Sequence, residues 1–341
     1  MAFEDRMNRQ RSAFQPGVPI VFQLAPGLNV LRGTVIVNAT VTIADCTEVG
    51  VPVGEGGPVN LIRRIRVIAN RAAGSRYPDG ALVDCSPQSL LRYATTERGG
   101  FYMAEQGNSN LGGGANGVYN IYLAIPIFFA DSLNKNNVQT ALNMNPVDST
   151  GAPIYTGVQV QIETAALITE LFSGNNGTMT VAGFIEWWDD RLALSADTTP
   201  LIQEDHYAYI QQANEEFVDA AMPNNGAFES WLILAQQGSP GWQLSDAILN
   251  RLSIQGGTLN FKEHAQDIRQ SMFDDELYVP PSDADAYSAL GQYFIDWTHG
   301  LLANSNPAAG LSHQMSVNNP SGSGLDRLRV YTRRVFTLAG S

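Results

Sequence analysis

Residues 30–44 read VLRGTVIVNATVTIA, a run of β-branched residues with a period-2 alternation. Because side chains of a β-strand point to opposite faces in turn, this pattern predicts a long strand. Ten further runs of this kind are bounded by Gly, Pro or Asn and also predict strands. They are Ile20–Leu24, Asn60–Ala69, Gly117–Phe129, Tyr155–Thr164, Thr178–Trp188, Glu229–Ala235, Ala247–Gln255, Gly291–Trp297, Leu311–Val317 and Leu325–Leu338.

Helices are predicted to be few and short. A Ser-Pro start and a Gly-Gly stop delimit the first at Gln88–Glu97. Two others are predicted at Lys262–Phe273 and Glu204–Ala221. Many long strands with few helices indicate an all-β sandwich or barrel rather than alternating β/α units.

The composition excludes several classes of protein. Of the 341 residues, 44% are hydrophobic and 16% are charged, which is too apolar for a disordered chain. No apolar run approaches the roughly 18–20 residues that span a bilayer, and the charged start MAFEDRMNRQRS does not resemble a secretory signal. We therefore expect a soluble protein. Cys46 and Cys85 alone cannot form a disulfide framework or a zinc site.

The charge distribution argues against nucleic acid as the main ligand. The net charge is −13, and residues 186–250 contain eleven acidic side chains against the single cation Arg191. An acidic chain neutralises phosphates poorly, so direct binding of nucleic acid is not expected. Lysine is nearly absent, and arginine, which pairs with carboxylates at interfaces, carries most of the positive charge. This usage favours contacts with other protein surfaces.

The order of predicted elements occurs twice along the chain. In the first half, LIRRIRVI (61–68) precedes the helix at 88–97 and the strands GVYNIYLAI, VQVQIET and TMTVAGFIEWW. In the second half, ILNRLSIQ (248–255) precedes the helix at 262–273 and the strands GQYFIDW, LSHQMSV and LDRLRVYTRRVF. The repeated order predicts a duplicated β domain, with a linker between the halves.

The known catalytic motifs are missing or misplaced. The segment Gly112–Gly117 matches G-x-G-x-x-G but opens a strand, whereas a dinucleotide site needs it to open a helix. It therefore predicts a flexible glycine-rich loop. No P-loop or nucleophile elbow occurs. The histidines are scattered singly, without the spacing of a metal site: His206, His264, His299 and His313.

Acidic clusters leave two alternatives open. Residues 186–190, Glu-Trp-Trp-Asp-Asp, could serve a glycosidase, but alternation sends the two tryptophans to opposite faces of a strand. A carbohydrate-binding or glycoside-cleaving protein would need Trp187, Trp231 or Trp242 exposed beside paired acids. The clusters at 204–206 and 274–276 could hold a structural Ca²⁺, although solvated acidic loops are favoured and no cofactor is expected.

The first 14 residues combine Arg6, Arg9 and Arg11 with apolar side chains. One interpretation is a short amphipathic helix on an anionic membrane. The other is an arm that is disordered or packs on a neighbouring molecule.

The duplicated series places VYNIYLAIPIFF (118–129) and GQYFIDWTHGLL (291–302) at matching positions. In this it resembles the double jelly-roll major capsid proteins of tailless icosahedral viruses, above all those of bacteriophages with an internal membrane. The resemblance spans residues 15–340 and implies two tandem eight-stranded jelly rolls. The implied divisions are an N-terminal arm (1–14), a first jelly roll (15–195), an acidic linker (196–216) and a second jelly roll (217–341).

The resemblance also implies a function. The chain would be a structural major capsid protein, not an enzyme, and would form pseudo-hexagonal homotrimers that tile an icosahedral shell over an internal membrane. Implied partners are neighbouring capsomers, pentons, minor capsid or membrane proteins and the lipid membrane itself. The protein would be made in the host cytoplasm and reside in the virion.

Particular segments acquire roles from the same resemblance. Arg6, Arg9 and Arg11 would lie on the membrane side or bind a neighbour, and the loops at 106–117 and 139–154 would face outward or line an interface. A spike or penton is a further alternative, but a penton usually carries one jelly roll, so the duplication counts against it.

Overall fold

The computed structural model describes residues 6–54, 58–98, 114–130, 139–193, 197–210, 227–238, 241–256, 259–268, 291–297, 312–317 and 326–335. Strands dominate, and in chain order they are β1 Arg6–Ala13, β2 Ile20–Leu24, β3 Asn29–Ala44, β4 Val51–Pro52, β5 Ile62–Arg71, β6 Gly80–Cys85, β7 Gly117–Phe128, β8 Tyr155–Thr164, β9 Phe172–Ser173, β10 Thr178–Leu192, β11 Leu201–Ile210, β12 Ala227–Gln237, β13 Gln243–Leu244, β14 Leu249–Gly256, β15 Leu259–His264, β16 Gln292–Asp296, β17 Ser312–Val317 and β18 Asp326–Val335. The helix α1 spans Pro87–Arg98, and single 3₁₀ turns lie at Val59–Leu61 and Ile168–Glu170.

The first half is an eight-stranded jelly roll. One sheet has the order β1-β10-β3-β7, and the facing strands have the order β6-β5-β8-β2. Alternation produces the core between them: in β3, the side chains of Val35, Val37 and Val41 are fully buried, while Asn38 is exposed. They pack in one cluster with Ile65 and other residues of the opposite sheet. The predicted double jelly-roll architecture is confirmed.

The second half repeats the pairing of the first. The neighbours β1-β10-β3-β7 correspond to β11-β18-β12-β16, and β6-β5-β8 correspond to β15-β14-β17. All five pairings are antiparallel in both halves, and the seven equivalent strands follow the same chain order. A shared order of this kind is what the sequence duplication predicts.

The halves are joined through one sheet. Strand β11 of the second half lies parallel to β6 of the first, with Gln203 opposite Val83 and Glu204 opposite Asp84. The main core cluster also crosses the join, because Leu232, Phe294 and Tyr331 of the second half pack with the first-half residues. The two jelly rolls therefore share buried apolar surface.

Several elements differ from the sequence prediction. Residues 6–13 of the predicted arm form β1, and residues 201–210 of the predicted linker form β11. The helix predicted at 204–221 is wrong over 204–210, because pairing with β18 and β6 places that segment in a sheet; residues 211–221 lie outside the described residues. The helix predicted at 262–273 is wrong at 262–264, which end β15, and helical residues follow at 265–268.

The other predicted elements are confirmed with small shifts in their ends. Each of the eleven predicted strands is present, and α1 occupies the place of the first predicted helix. The strand β6 was not predicted, since GALVDC is short and interrupted by an aspartate. The domain boundaries at 15–195 and 217–341 stay a prediction.

Candidate assembly surface

A cluster of arginines surrounds one carboxylate on β1 and β10. Arg9 donates to Glu186 Oε2 from Nε at 3.1 Å and from Nη2 at 3.0 Å, and Arg11 Nε donates to Oε1 at 2.5 Å. The same guanidinium groups lie over aromatic rings, Arg9 at 4.3 Å from Trp188 and Arg11 at 4.0 Å from Phe184. Because Arg9 and Arg11 are two residues apart on a strand, alternation places them on one face. That spacing is a signal the sequence contained.

The electrostatics of this cluster follow from its hydrogen bonds. The Glu186 side chain is 2% exposed, whereas those of Arg9 and Arg11 are 54% and 57% exposed. Burial alone would raise the pKa of Glu186, but the bonds from Arg11, Arg9 and Trp188 outweigh it and hold the pKa below its usual value. The result is a carboxylate that carries two exposed cations, an arrangement suited to protein contact rather than proton transfer.

The opposite face of β10 contains a second, buried pair. Asp189 accepts from Arg191 Nε at 2.9 Å, from Arg191 Nη2 at 3.0 Å and from Trp187 Nε1 at 3.0 Å. Arg191 also donates to the Ala25 carbonyl at 2.7 Å. Asp190 forms an ion pair with Arg32. Each acid of the 186–190 stretch is thus paired with an arginine, which leaves none of the three carboxylates unneutralised.

The tryptophans do not form a sugar-binding platform. Trp187 and Trp231 are 0% and 1% exposed, contrary to what the carbohydrate alternative requires. Trp242 is half-buried, and Arg327 lies 4.0 Å from the centre of its ring. Its charged neighbour is therefore a cation rather than the paired acids expected of a glycosidase.

Glu204 and Asp205, two of the predicted cation ligands, accept hydrogen bonds from other parts of the chain. Glu204 accepts from Arg334 Nη2 at 3.1 Å, while Asp205 accepts from the Ser86 backbone amide at 2.7 Å. In the described ranges, no three side chains of His, Cys, Asp or Glu converge as a metal site would need. His299 and residues 274–276 lie outside the described residues, as do the side chain of His313 and residues 112–113 of the glycine-rich loop.

The two cysteines are both free thiols. Cys85 is buried, and burial raises its pKa well above the usual value; its thiol donates to the Gln203 carbonyl at 3.2 Å across the join between halves. Cys46 is half-buried. None of the helices in the described part of the chain is long and apolar enough to cross a bilayer.

The 139–154 loop is held by its own polar contacts. Asp148 Oδ1 accepts from the amides of Thr150 and Ala152 at 2.8 Å and 3.0 Å, and the other carboxylate oxygen lies 3.7 Å from Arg76 Nε. Val147 is 47% exposed. Of the 106–117 loop, only residues 114–117 are described, and Asn116 is hydrogen-bonded to the backbone of Cys46.

Two strand edges complete the surface. In the described residues, β1 pairs with β10 alone and β15 pairs with β14 alone, so each presents one uncovered edge. Their equivalents in the other half, β11 and β6, have those same edges paired with each other. Within one chain, β6 and β11 form this contact. Their equivalents β15 and β1 have the same edges free among the described residues.

A duplicated jelly roll whose two halves share one sheet defines a double jelly-roll fold. No family model and no curated protein sequence matches the chain. Solved structures with this fold are similar to it. The major capsid protein of Sulfolobus turreted icosahedral virus is 10% identical, with a TM-score of 0.66 over 100% of both chains.

Two further solved structures are similar over nearly the whole chain. The capsid of PBCV-1 virus matches at 10% identity and a TM-score of 0.56, over 98% of this chain and 94% of the other. The major capsid protein P2 of bacteriophage PM2 matches at 10% identity and a TM-score of 0.51, over 97% and 99%. At such identities the likeness establishes the fold, which is that of the double jelly-roll major capsid proteins.

Proposed function

We propose that this chain is a structural major capsid subunit of a tailless icosahedral virus with an internal membrane, and that it catalyses no reaction. The support is a fold shared over the full length with viral capsid proteins. The acids of the 186–190 stretch are each neutralised by an arginine, which further disfavours a hydrolase.

The observation that carries a trimeric capsomer is the β6–β11 contact between the halves. In the next step of a ring, the second half of one chain takes the place of the first half, so β15 takes the place of β6. The first half of the next chain then takes the place of the second half, so its β1 takes the place of β11. The same parallel contact can then form between β15 of one subunit and β1 of its neighbour. Such a head-to-tail interface closes as a ring, and three chains with six jelly rolls give a pseudo-hexagonal outline.

Arg9 and Arg11 gain a more specific role in this arrangement. Both lie on β1, whose free edge would receive the neighbour, and both side chains are more than half exposed. We assign them to binding the neighbouring subunit rather than lipid. Arg6 belongs to the same strand, opposite Arg191, although its side chain lies outside the described residues.

Light scattering on the purified chain tests the trimer. Each chain has a mass of 36.9 kDa, so three give about 111 kDa, and we expect that mass with and without chelator. A monomer at micromolar concentration would overturn the trimer. A fall to monomer with chelator would show instead that a structural cation holds the subunits together.

Hydrogen–deuterium exchange tests which edges meet. Backbone amides of residues 6–13 and 259–264 should gain protection together when the protein passes from dilute monomer to trimer. Strand β7, which among the described strands pairs only with β3 and lies at the end of the sheet opposite β1, serves as the control and should exchange equally in both states. Protection of β7 instead would overturn the edge assignment while leaving the capsid role intact.

The remaining partners follow from the capsid role. We propose contacts with neighbouring capsomers, pentons and minor capsid or membrane proteins, a place in the virion shell, and synthesis in the host cytoplasm. We propose no cofactor. Flotation with anionic and neutral vesicles tests direct lipid binding: vesicle-bound trimer would place the lipid membrane among the partners, and unbound trimer would leave only protein contacts.

A further inference from the structure

A cavity of about 340 Å³ lies at the join between the two halves and is lined by residues of both. The first half contributes Arg63, Glu170 and the start of α1 at Ser86–Gln88. The second half contributes the rings of Tyr207 and Trp242 and the guanidinium groups of Arg327 and Arg329. The volume is at the lower end of the range for small-molecule sites, about 300–1,000 Å³.

The two arginines of β18 reach the cavity from one face of the strand. Arg329 is 5% exposed; its Nη1 donates to Ser86 Oγ at 2.7 Å and to Gln88 Oε1 at 3.2 Å. Its Nε is buried and has no hydrogen-bond partner in the described residues. Arg327 Nε donates to Gln236 Oε1 at 2.8 Å, and its guanidinium lies 4.0 Å from the Trp242 ring.

The charges around the cavity do not balance. Three arginines line it against one described carboxylate, Glu170, which is already paired with Arg63 at 2.8 Å. The ion pairs of the described residues include none to Arg327 or Arg329, whose partners are neutral groups. Burial, and then the neighbouring Arg329, lower the pKa of Arg327 to about 10. A cation as buried as Arg329 is costly unless an anion accompanies it.

We propose that the cavity is a binding site for an oxyanion, held between Arg327 and Arg329 with the rings of Tyr207 and Trp242 at its side. Guanidinium groups bind phosphate and carboxylate through paired N–H donors. Since both halves line the site, a bound anion bridges them. The proposal does not depend on the capsid role.

Calorimetric titration of the full chain with inorganic phosphate tests the site, with sodium chloride at equal ionic strength as the reference. We expect saturable binding and a rise in melting temperature with phosphate. In Arg327→Gln the affinity should fall at least about tenfold, since a charged hydrogen bond contributes roughly 1.5–3 kcal/mol. Arg327→Lys keeps the positive charge but lacks the paired N–H donors of the guanidinium group, so it should lose part of the affinity for phosphate.

The matched control is Arg71→Gln, because Arg71 is an exposed arginine at the end of β5, outside the cavity lining. It should bind phosphate as the wild type does. Absence of saturable binding, or equal losses in Arg71→Gln and Arg327→Gln, would overturn the site. A titration with acetate in place of phosphate distinguishes the two classes of anion. Binding of phosphate alone indicates a phosphorylated ligand, and equal binding of acetate indicates a carboxylate.

One variant tests whether the chain fills the site with its own carboxylate. Glu55 follows the cavity residue Gly54 in sequence and lies outside the described residues. If phosphate binds only to Glu55→Gln and not to the wild type, the anion is intramolecular and an external ligand is overturned. Equal binding by both proteins supports the proposal.

Discussion

Gly33 on β3 leaves the space that the Trp187 side chain on β10 occupies. A Cβ added at Gly33 would lie 1.9 Å from Cη2 of Trp187, so the indole occupies the space that any other side chain would need. Trp187 is fully buried and donates from Nε1 to Asp189, which restricts its ability to move. The glycine and the tryptophan therefore depend on each other across the β3–β10 pair.

We expect Gly33→Ala to lower the free energy of unfolding by about 1–3 kcal/mol or more, through overpacking of the core. Gly157→Ala is the matched control, because Gly157 also lies in a strand and no atom lies within 4 Å of its added Cβ. That change should stay within about 0.5 kcal/mol. Urea unfolding measures both, and equal stability of the two variants would contradict the packing argument.

Glu186 makes stability depend on pH. Its pKa in the folded protein lies below the usual 4.5, so the folded state holds the proton less tightly than the unfolded state. The stabilisation is therefore complete above about pH 4.5 and is lost as the pH falls through the lower, folded value. At neutral pH, Glu186→Gln should cost about 1–3 kcal/mol, since the hydrogen bonds lose their charge.

Thermal unfolding from pH 7 to pH 3 measures this effect. Wild type should lose more stability than Glu186→Gln over the acid range. Glu48→Gln changes an exposed glutamate and should follow the wild-type curve. Parallel curves for wild type and Glu186→Gln would show that the arginines contribute nothing through this carboxylate.

At the scale of elements, α1 connects the two jelly rolls through one aromatic side chain. The ring of Tyr93 lies 5.4 Å from that of Tyr331 and 6.2 Å from that of Phe294, with Arg333 4.5 Å above it. Gln292 adds a hydrogen bond to Thr96 from the second half. The helix is thus part of the packing between halves, not a solvent-facing loop insertion.

Removal of this ring should weaken the contact between the halves. Tyr93→Ala should destabilise the protein by about 3–5 kcal/mol, the range for truncating a large buried aromatic residue. Tyr122→Ala, on the exposed side of β7 at 53% exposure, should cost less than about 1 kcal/mol. Chemical denaturation measures both, and similar losses would show that α1 does not couple the jelly rolls.

At the scale of the whole molecule, the shared sheet and core predict cooperative unfolding. The core cluster of the first jelly roll includes Leu234 and Tyr331 of the second, and β6 and β11 pair directly. Separate domains would need an interface that parts without exposing core surface. We expect one calorimetric transition for the wild type, and two well-separated transitions would contradict this.

Most of the long strands and their order along the chain could be predicted from the sequence alone, although β1, β6 and β11 could not. The alternation in residues such as Val35 and Val37 identifies strands, because burial on one face of a sheet requires a period of two. The repeated order of strands identified the duplication and, through resemblance, the double jelly roll. These features are local or sequential, so a single sequence contains them.

Partnership between distant residues was decided only by the tertiary structure. Residues 204–210 were predicted to be part of a helix, yet pairing with β18 and β6 makes them part of a strand. The sequence left a glycosidase role for Glu186 as a disfavoured alternative, and only the fold brought Arg9 and Arg11 to this carboxylate from 177 and 175 residues away. The cavity at the join, with its unbalanced arginines, is likewise formed only when the halves meet, since no local pattern records contacts between residues far apart in the chain.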